Sequence, residues 1–327
     1  MSLMKKNPLA KGLGKIILFF LTLVVISIFT FVLVKIQPGD PAANYLRTIH
    51  VGINDESLAR ARTYLNLDKP VTKQYTMWLG KAVKGDLGNS YVKKMPVLHV
   101  MANATIPTLQ LGAVSFVLLL IFSSLGGFLA AIYNKSWVDK LVQGLSFLFV
   151  SIPVFWLGYM LILFFSVKLQ ILPSSGRGGF ANYILPAICL NLPLVGQTSL
   201  FIRNVLLEEM AKPHVENALV RGVDRKYILK NHLLNNIKIP LMTVLSSNIM
   251  YVISGSVLIE EVFAWPGLGR MFVGAVRTSD LPLIQGSLLL FGLMAIILNG
   301  GTQSLIYFIN PRTRLGGKEW KNQFFFI

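Results

Sequence analysis

Three groupings in this chain have residue types suited to chemistry, and each lacks a required member. Gly12-Leu13-Gly14-Lys15 approaches a phosphate-binding loop, but the first glycine of that loop and the hydroxyl residue after its lysine are missing. Nucleotide phosphates have no cradle of that type here. His50, His99, His214 and His232 are scattered rather than set at metal-ligand spacing. Ser174 and Ser175 lack the pattern of a nucleophile elbow. The single cysteine, Cys189, lies in an apolar stretch and excludes an internal disulfide or a cysteine metal cluster. No catalytic residue, no metal ligand and no cofactor held by the chain itself is expected.

One segment has the makings of a binding device instead. Residues 213–240, PHVENALVRGVDRKYILKNHLLNNIKIP, are basic and amphipathic, with Gly222 near the middle. Helical spacing puts Val215, Ala218 and Leu219 on one face, with Glu216 and Arg221 elsewhere. Gly222 can take a left-handed turn without a Cβ penalty. Asp224 is placed to cap a second helix, on which Ile228, Leu229, Leu233 and Ile237 form an apolar stripe. A short helix closed by a glycine turn fits a cleft on another subunit.

The elements that position this segment are read from composition. With 327 residues, 54% hydrophobic, 14% charged and a mean hydropathy of +0.60, the chain is too apolar for a soluble domain. Six stretches free of Asp, Glu, Lys and Arg reach spanning length: 16–34, 102–133, 141–167, 178–202, 239–259 and 281–310. Pro153 and Pro193 interrupt the third and fourth, where kinks are expected. The net charge of +17 points to lipid headgroups and span ends, not nucleic acid.

Orientation follows from the basic residues. The amino-terminal lysines precede an apolar run too long for a signal peptide, so an uncleaved first span is expected. Residues 203–238 carry Arg203, Lys212, Arg221, Arg225, Lys226, Lys230 and Lys238, and the turn near Asn134 carries Lys135 and Lys140. The loop after the third span holds only Lys168 and Arg177. This asymmetry places both termini in the cytoplasm. The expected divisions are 1–36 (amino terminus and first span), 37–101 (extracytoplasmic loop), 102–310 (five-span core, with loop 204–238 inside it) and 311–327 (tail). The aromatic tail receives no role. No acid lies well inside a span, which argues against an ion relay, and there is no TVGYG-like filter or regular arginine ladder.

At these residues the chain resembles the inner-membrane subunits of ATP-binding cassette importers, in the peptide and nickel permease family. Ala218, Gly222, His232, Asn236 and Pro240 stand where that family's EAA loop has matching residues. The resemblance extends through Pro38-Gly39-Asp40-Pro41, Leu67-Asp68-Lys69-Pro70, Gly85-Asp86-Leu87-Gly88, Pro107-Thr108-Leu109, the Glu261–Gly269 run EVFAWPGLG, Asp280, Gln285-Gly286 and Asn310-Pro311-Arg312. One departure is Asn217-Ala218-Leu219-Val220-Arg221-Gly222, more apolar than the family's usual Thr-Ala-Arg-Ala-Lys-Gly.

The resemblance implies an all-α integral membrane protein, with the six transmembrane helices of the type I importer permease fold. Its large extracytoplasmic loop follows the first helix, and its cytoplasmic coupling loop lies between the fourth and fifth. It implies a bacterial plasma membrane location and a second, homologous permease as partner. Two ATPase subunits carrying ATP and Mg, and an extracytoplasmic substrate-binding protein, complete the set. Glu216, Ala218, Gly222, Val223, Asp224, His232, Asn236 and Pro240 are then the ATPase-coupling residues. Trp265, Pro266, Gly267 and Gly269 shape the outer end of the pathway, with Trp265 read as an interfacial aromatic. The family moves short peptides, nickel and metal chelates; peptides come first here, because the spans hold no histidine. Ser151, Asn191, Gln197, Ser246, Ser247 and Asn248 offer uncharged polar groups, with no substrate residue assigned. A nickel or metallophore permease is the nearest alternative. A gradient-driven secondary transporter and a non-transporting scaffold stand in other classes.

Overall fold

Proline and apolar patterning decide where this chain is helical and where it bends. The computed structural model describes residues 8–36, 39–228 and 234–309. In order these form α1 (Pro8–Ile36), α2 (Pro41–Thr48), α3 (Asp55–Tyr64), α4 (Val71–Ala82), α5 (Val97–Ile132), α6 (Trp137–Ser151) and α7 (Val154–Leu161), the last running into a π-helical turn, Ile162–Lys168. Then follow α8 (Ala181–Met210), α9 (Pro213–Val220), α10 (Arg225–Ile228), α11 (Leu234–Val262), α12 (Leu268–Arg277) and α13 (Leu281–Ile309). Among the described residues the one β feature is an isolated bridge between Asn89 and Pro96.

Among the described residues, four helical stretches are long and apolar enough to cross a bilayer: Val97–Ile132, Ala181–Met210, Asn236–Val262 and Leu281–Thr302. A fifth passage is broken, because Trp137–Ser151 and Val154–Lys168 meet at 100°. The cause is local. Ile152 is extended, with φ −87° and ψ 125°, as the residue before a proline prefers, and Pro153 has no N–H to offer the preceding turn. At Pro193 the helix continues: α8 runs through both Pro186 and Pro193. The first expected span, 16–34, lies within α1.

The chain forms two compact units. The first comprises residues 1–107 and 267–297. Within it the segment after α1 is not an open loop but three short helices. Asp40 caps α2 by accepting from the Ala42 N–H at 2.9 Å, with Pro41 in the first turn. Asn54 and Ser57 cap α3 reciprocally. α4 is fastened to α1 by Ser27 Oγ and Tyr75 Oη at 2.7 Å, by Lys35 Nζ donating to Gln74 Oε1 at 2.5 Å, and by the Phe31, Tyr75 and Trp78 rings. Buried Asp280, just before α13, accepts from Ser90 Oγ at 2.5 Å and so pins the 89–96 turn.

The second unit comprises residues 108–266 and 298–327. α8 is its axis: α6, α7 and α11 all pack on it. Its main core gathers Leu111 and Leu119 from α5, Leu185 and Leu190 from α8, Ile259 from α11, and Phe263 and Trp265 beyond that helix. At Gly196 the helices touch backbone to backbone, since a Cβ there would stand 2.9 Å from the Ser146 carbonyl oxygen and 3.0 Å from its Cα. Small residues permit such approaches in lipid, where helix contact depends on close packing. Gly196→Val is therefore expected to destabilise the folded chain by about 1–3 kcal/mol, a misfit typical of overpacking. Thermal unfolding in detergent checks this, with Gly144→Val as the tolerated control, because nothing lies within 4 Å of a Cβ at Gly144.

Candidate coupling site

The segment between α8 and α11 is built on an apolar floor. Ala131 of α5, Ile202 and Leu206 of α8, Val215 of α9, Ile228 of α10 and Ile237 of α11 are all buried together. Ala218, Val223 and Leu241 pack against them. The apolar faces expected for both short helices therefore turn inward, onto this chain's own spans. Leu229, Leu233 and His232 lie outside the described residues, as does the side chain of Leu219.

Above that floor sits an acid that sequence reading passed over. Glu209, in the last turn of α8, is 4% exposed. Its Oε1 accepts from Asn236 Nδ2 at 2.6 Å and lies 3.3 Å from His214 Nε2, while Oε2 accepts from Lys212 Nζ at 2.5 Å. One carboxylate thus ties the end of α8 to the start of α9 and, across 27 residues of sequence, to α11. Charge-assisted hydrogen bonds of this kind are the strong ones. Asn236, assigned to ATPase coupling by the family resemblance, has its side chain committed to this clasp. The Lys212 partner three residues on was readable as a helix pair; the Asn236 contact was not.

A second clasp steadies the same region. Arg203 meets Asp139 in a two-pronged pair, Nε to Oδ1 at 2.6 Å and Nη2 to Oδ2 at 2.7 Å, and Nη2 also reaches Asn134 Oδ1 at 3.3 Å. Asp139 further accepts from the Lys135 N–H at 2.9 Å and from Gln143 Nε2 at 2.8 Å. The basic turn around Asn134 and the lower part of α8 are thereby joined. Arg203 and Lys135, counted only as charges in reading topology, are structural here.

The α9–α10 turn has the geometry expected of it. Gly222 sits at φ +75°, and the Val223 N–H returns to the Ala218 carbonyl at 3.1 Å, the six-residue closure that follows a left-handed C′ residue. Arg221 N–H bonds to the Asn217 carbonyl at 3.1 Å, and Ile228 N–H to the Asp224 carbonyl at 3.0 Å. With the apolar faces inward, the outer surface presents Glu216, Asn217, Val220, Arg221, Gly222 and Asp224. Val220 is 84% exposed, an apolar side chain held out at the apex. Pro240 lies inside α11, half-buried. The result is a knob with a mixed apolar and charged tip.

The remaining expected residues fall elsewhere. Trp265 is not an interfacial aromatic: it is fully buried, with its ring edge-on to Tyr183 at 4.7 Å. The Trp265 N–H bonds to the Glu260 carbonyl at 2.8 Å past a left-handed Ala264, which closes α11. Gly267 is extended and caps α12, where Gly269 is buried. Glu260, one residue beyond the expected fifth span, is buried and accepts from Thr108 Oγ1 at 2.6 Å. Of the uncharged polar groups, Asn248 donates to Thr198 Oγ1 at 2.8 Å, and both amide atoms of buried Asn191 are without a partner among the described residues. Ser151, Gln197 and Ser247 are exposed.

Comparison with known proteins agrees with this arrangement. Residues 123–315 match the family described as binding-protein-dependent transport system inner membrane component, and residues 13–112 match the amino-terminal region of such components. The glutathione transport system permease protein GsiC of Escherichia coli O6:H1 is 35% identical over 294 residues, covering 90% of this chain and 95% of the relative. GsiC of Escherichia coli K12 and of Shigella dysenteriae serotype 1 are each 34% identical over the same coverage. Among solved structures, the MetNI methionine ABC transporter in inward-facing conformations aligns with a TM-score of 0.55 at 16% identity, over 65% of this chain and 97% of that one.

The Glu209 clasp yields a direct expectation. Glu209→Ala leaves the Lys212, His214 and Asn236 side chains without their common acceptor, so amide exchange across 211–228 should quicken roughly thirtyfold, equivalent to about 2 kcal/mol. Hydrogen-exchange mass spectrometry reads this directly, with the middle of α8 unchanged.

Proposed function

Because the chain belongs to the binding-protein-dependent inner membrane component family, and is a multi-pass permease subunit of an ABC importer, we propose that the α9–α10 knob is where separate ATPase subunits grip it. The observation that carries this reading is the knob itself: apolar faces sunk in the chain's own core, a Gly222 turn, and Glu216, Val220, Arg221 and Asp224 turned outward. The chain has no phosphate-binding loop of its own, so ATP and Mg belong on the partners.

In this reading the divisions take on roles. The 204–238 loop and both termini are cytoplasmic, and the 37–101 helices face outward, where the binding protein docks together with the turns near Trp265. A second, homologous permease completes the pathway. Closure of the two ATPase subunits moves the knob, and the clasps at Glu209 and Asp139 pass that motion to α8, α11 and the Asn134 turn as one body. The spans then expose the pathway outward and inward in turn. Docking of the loaded binding protein favours the same state, so it stimulates ATP hydrolysis on the partners by linkage. Within this picture Glu216, Gly222 and Asp224 meet the ATPase, while Ala218, Val223, Asn236 and Pro240 hold the knob in place.

Short peptides are the substrate class favoured. Glutathione, for which the related permeases are named, is itself a short peptide. Exposed Gln197 and Ser247 offer uncharged hydrogen-bonding groups of the kind a peptide's amides require, and metal chelates of similar polarity are the second choice.

Gly222 is the sharpest test. Its positive φ disfavours any side chain by about 1–2 kcal/mol, and a β-branched one by more. A Cβ there meets no other atom within 4 Å, so the spans should be undisturbed. Gly222→Val is expected to insert normally yet to lose ATPase assembly and peptide uptake in proteoliposomes that contain the partner subunits. Uptake at the wild-type rate would sink the docking assignment, and uptake by this chain without any ATPase would favour a gradient-driven carrier.

A further inference from the structure

The first unit encloses a cavity of about 820 Å³ that the transport reading does not use. That size lies within the range of small-molecule sites. Its walls combine two chemistries. Phe31, Tyr45, Tyr64, Trp78 and Tyr91 supply five aromatic rings, with Tyr45 edge-on to Tyr91 at 4.7 Å and stacked on Tyr64 at 5.7 Å. Lys35, Lys81 and Lys94 also line it, against one acidic residue, Asp86. Burial raises the Tyr91 phenol above its ordinary pKa, so it stays a neutral hydrogen-bonding group.

The cationic excess is not spent inside the protein. Lys35 donates to Gln74 Oε1 and sits 5.8 Å from the centre of the Phe31 ring. The Lys81 and Lys94 side chains make no hydrogen bond or ion pair among the described residues. Asp86 accepts from the Gly88 N–H at 2.9 Å, as in an Asx turn, and pairs with neither lysine. Lys81 and Lys94 are exposed, so their charges stay available to an anion at the mouth of the hollow.

The helix ends on its wall suggest the ligand class. Phe31 and Lys35 belong to the last turns of α1, and Leu281 and Pro282 open α13. The cavity is thus walled by the ends of two apolar helices, and the ends of membrane helices are where aromatic and basic residues meet phospholipid headgroups. The neighbouring surface of α1 is apolar and exposed, with Phe29 at 60% and Ile36 at 71%, a surface along which an acyl chain can lie. We propose that this cavity binds an anionic amphiphile, its phosphate or carboxylate among Lys35, Lys81 and Lys94 and its apolar part on the rings, with an anionic phospholipid of the adjacent leaflet as the source.

This site stands apart from the ATPase-docking reading, and either can fail alone. The test is native mass spectrometry of the full chain purified with its partner subunits, titrated with phosphatidylglycerol, with phosphatidylcholine, or with a soluble short peptide ending in a free carboxylate. Lys81 and Lys94 are exposed, so a Lys81→Gln/Lys94→Gln double variant should fold. Phosphatidylglycerol binding is expected to weaken in it by roughly tenfold or more. The Lys81→Arg/Lys94→Arg variant should restore it, and phosphatidylcholine binding should not change. Phosphatidylglycerol binding that is the same in wild type and double variant overturns the proposal. Lysine-dependent binding of the peptide, with none of phosphatidylglycerol, overturns the lipid source and assigns the same anion chemistry to the peptide.

Discussion

A carboxylate withdrawn from water must find partners, because an unpaired buried charge costs several kcal/mol. Four acids in this chain meet that constraint near the ends of its long helices: Asp139 with Arg203, Glu209 with Lys212, His214 and Asn236, Glu260 with Thr108, and Asp280 with Ser90. The middles of the spans pack by shape, with contacts as close as Gly196 against Ser146. Their ends are joined by these acids. Every turn with an assigned role, the Asn134 turn, the α8–α11 segment and the 89–96 turn, is anchored by one of them.

In the proposed coupling, that anchoring would let a small segment move long ones. α9 and α10 are too short to be stable alone, since isolated helices of that length are marginal in water. They owe their form to the Val215, Ile228 and Ile237 floor and to the Glu209 clasp. A push on Val220 therefore meets a body continuous with α8 and α11 rather than a loose loop. Gly222 contributes only the direction of the turn.

Much of this was legible in the sequence, for physical reasons that differ by residue. Apolar runs predict membrane helices because hydrocarbon leaves the backbone no other partners. The glycine turn was legible because φ > 0 nearly demands that residue. The break at Pro153 was foreseen, whereas Pro193 is carried inside an unbroken α8, where neighbouring helices enclose it. Asn236 was noticed through the family resemblance, but its hold on Glu209 spans 27 residues that only tertiary structure brings together. Trp265 was misplaced at the interface because an aromatic beside Pro-Gly has the same local pattern on a surface as in a core. The helices of 37–101 were missed because their apolar residues serve a small local core, too few to stand out in a polar segment.

The central claim is that the exposed tip of α9 is covered by another subunit when the importer works. Cys189 is buried and is the chain's single cysteine, so Val220→Cys introduces one accessible thiol at the apex. Its rate of maleimide labelling should be high in the chain alone and should fall sharply once ATPase subunits assemble with it. Unchanged labelling in an assembled, ATP-hydrolysing complex would contradict docking at this site.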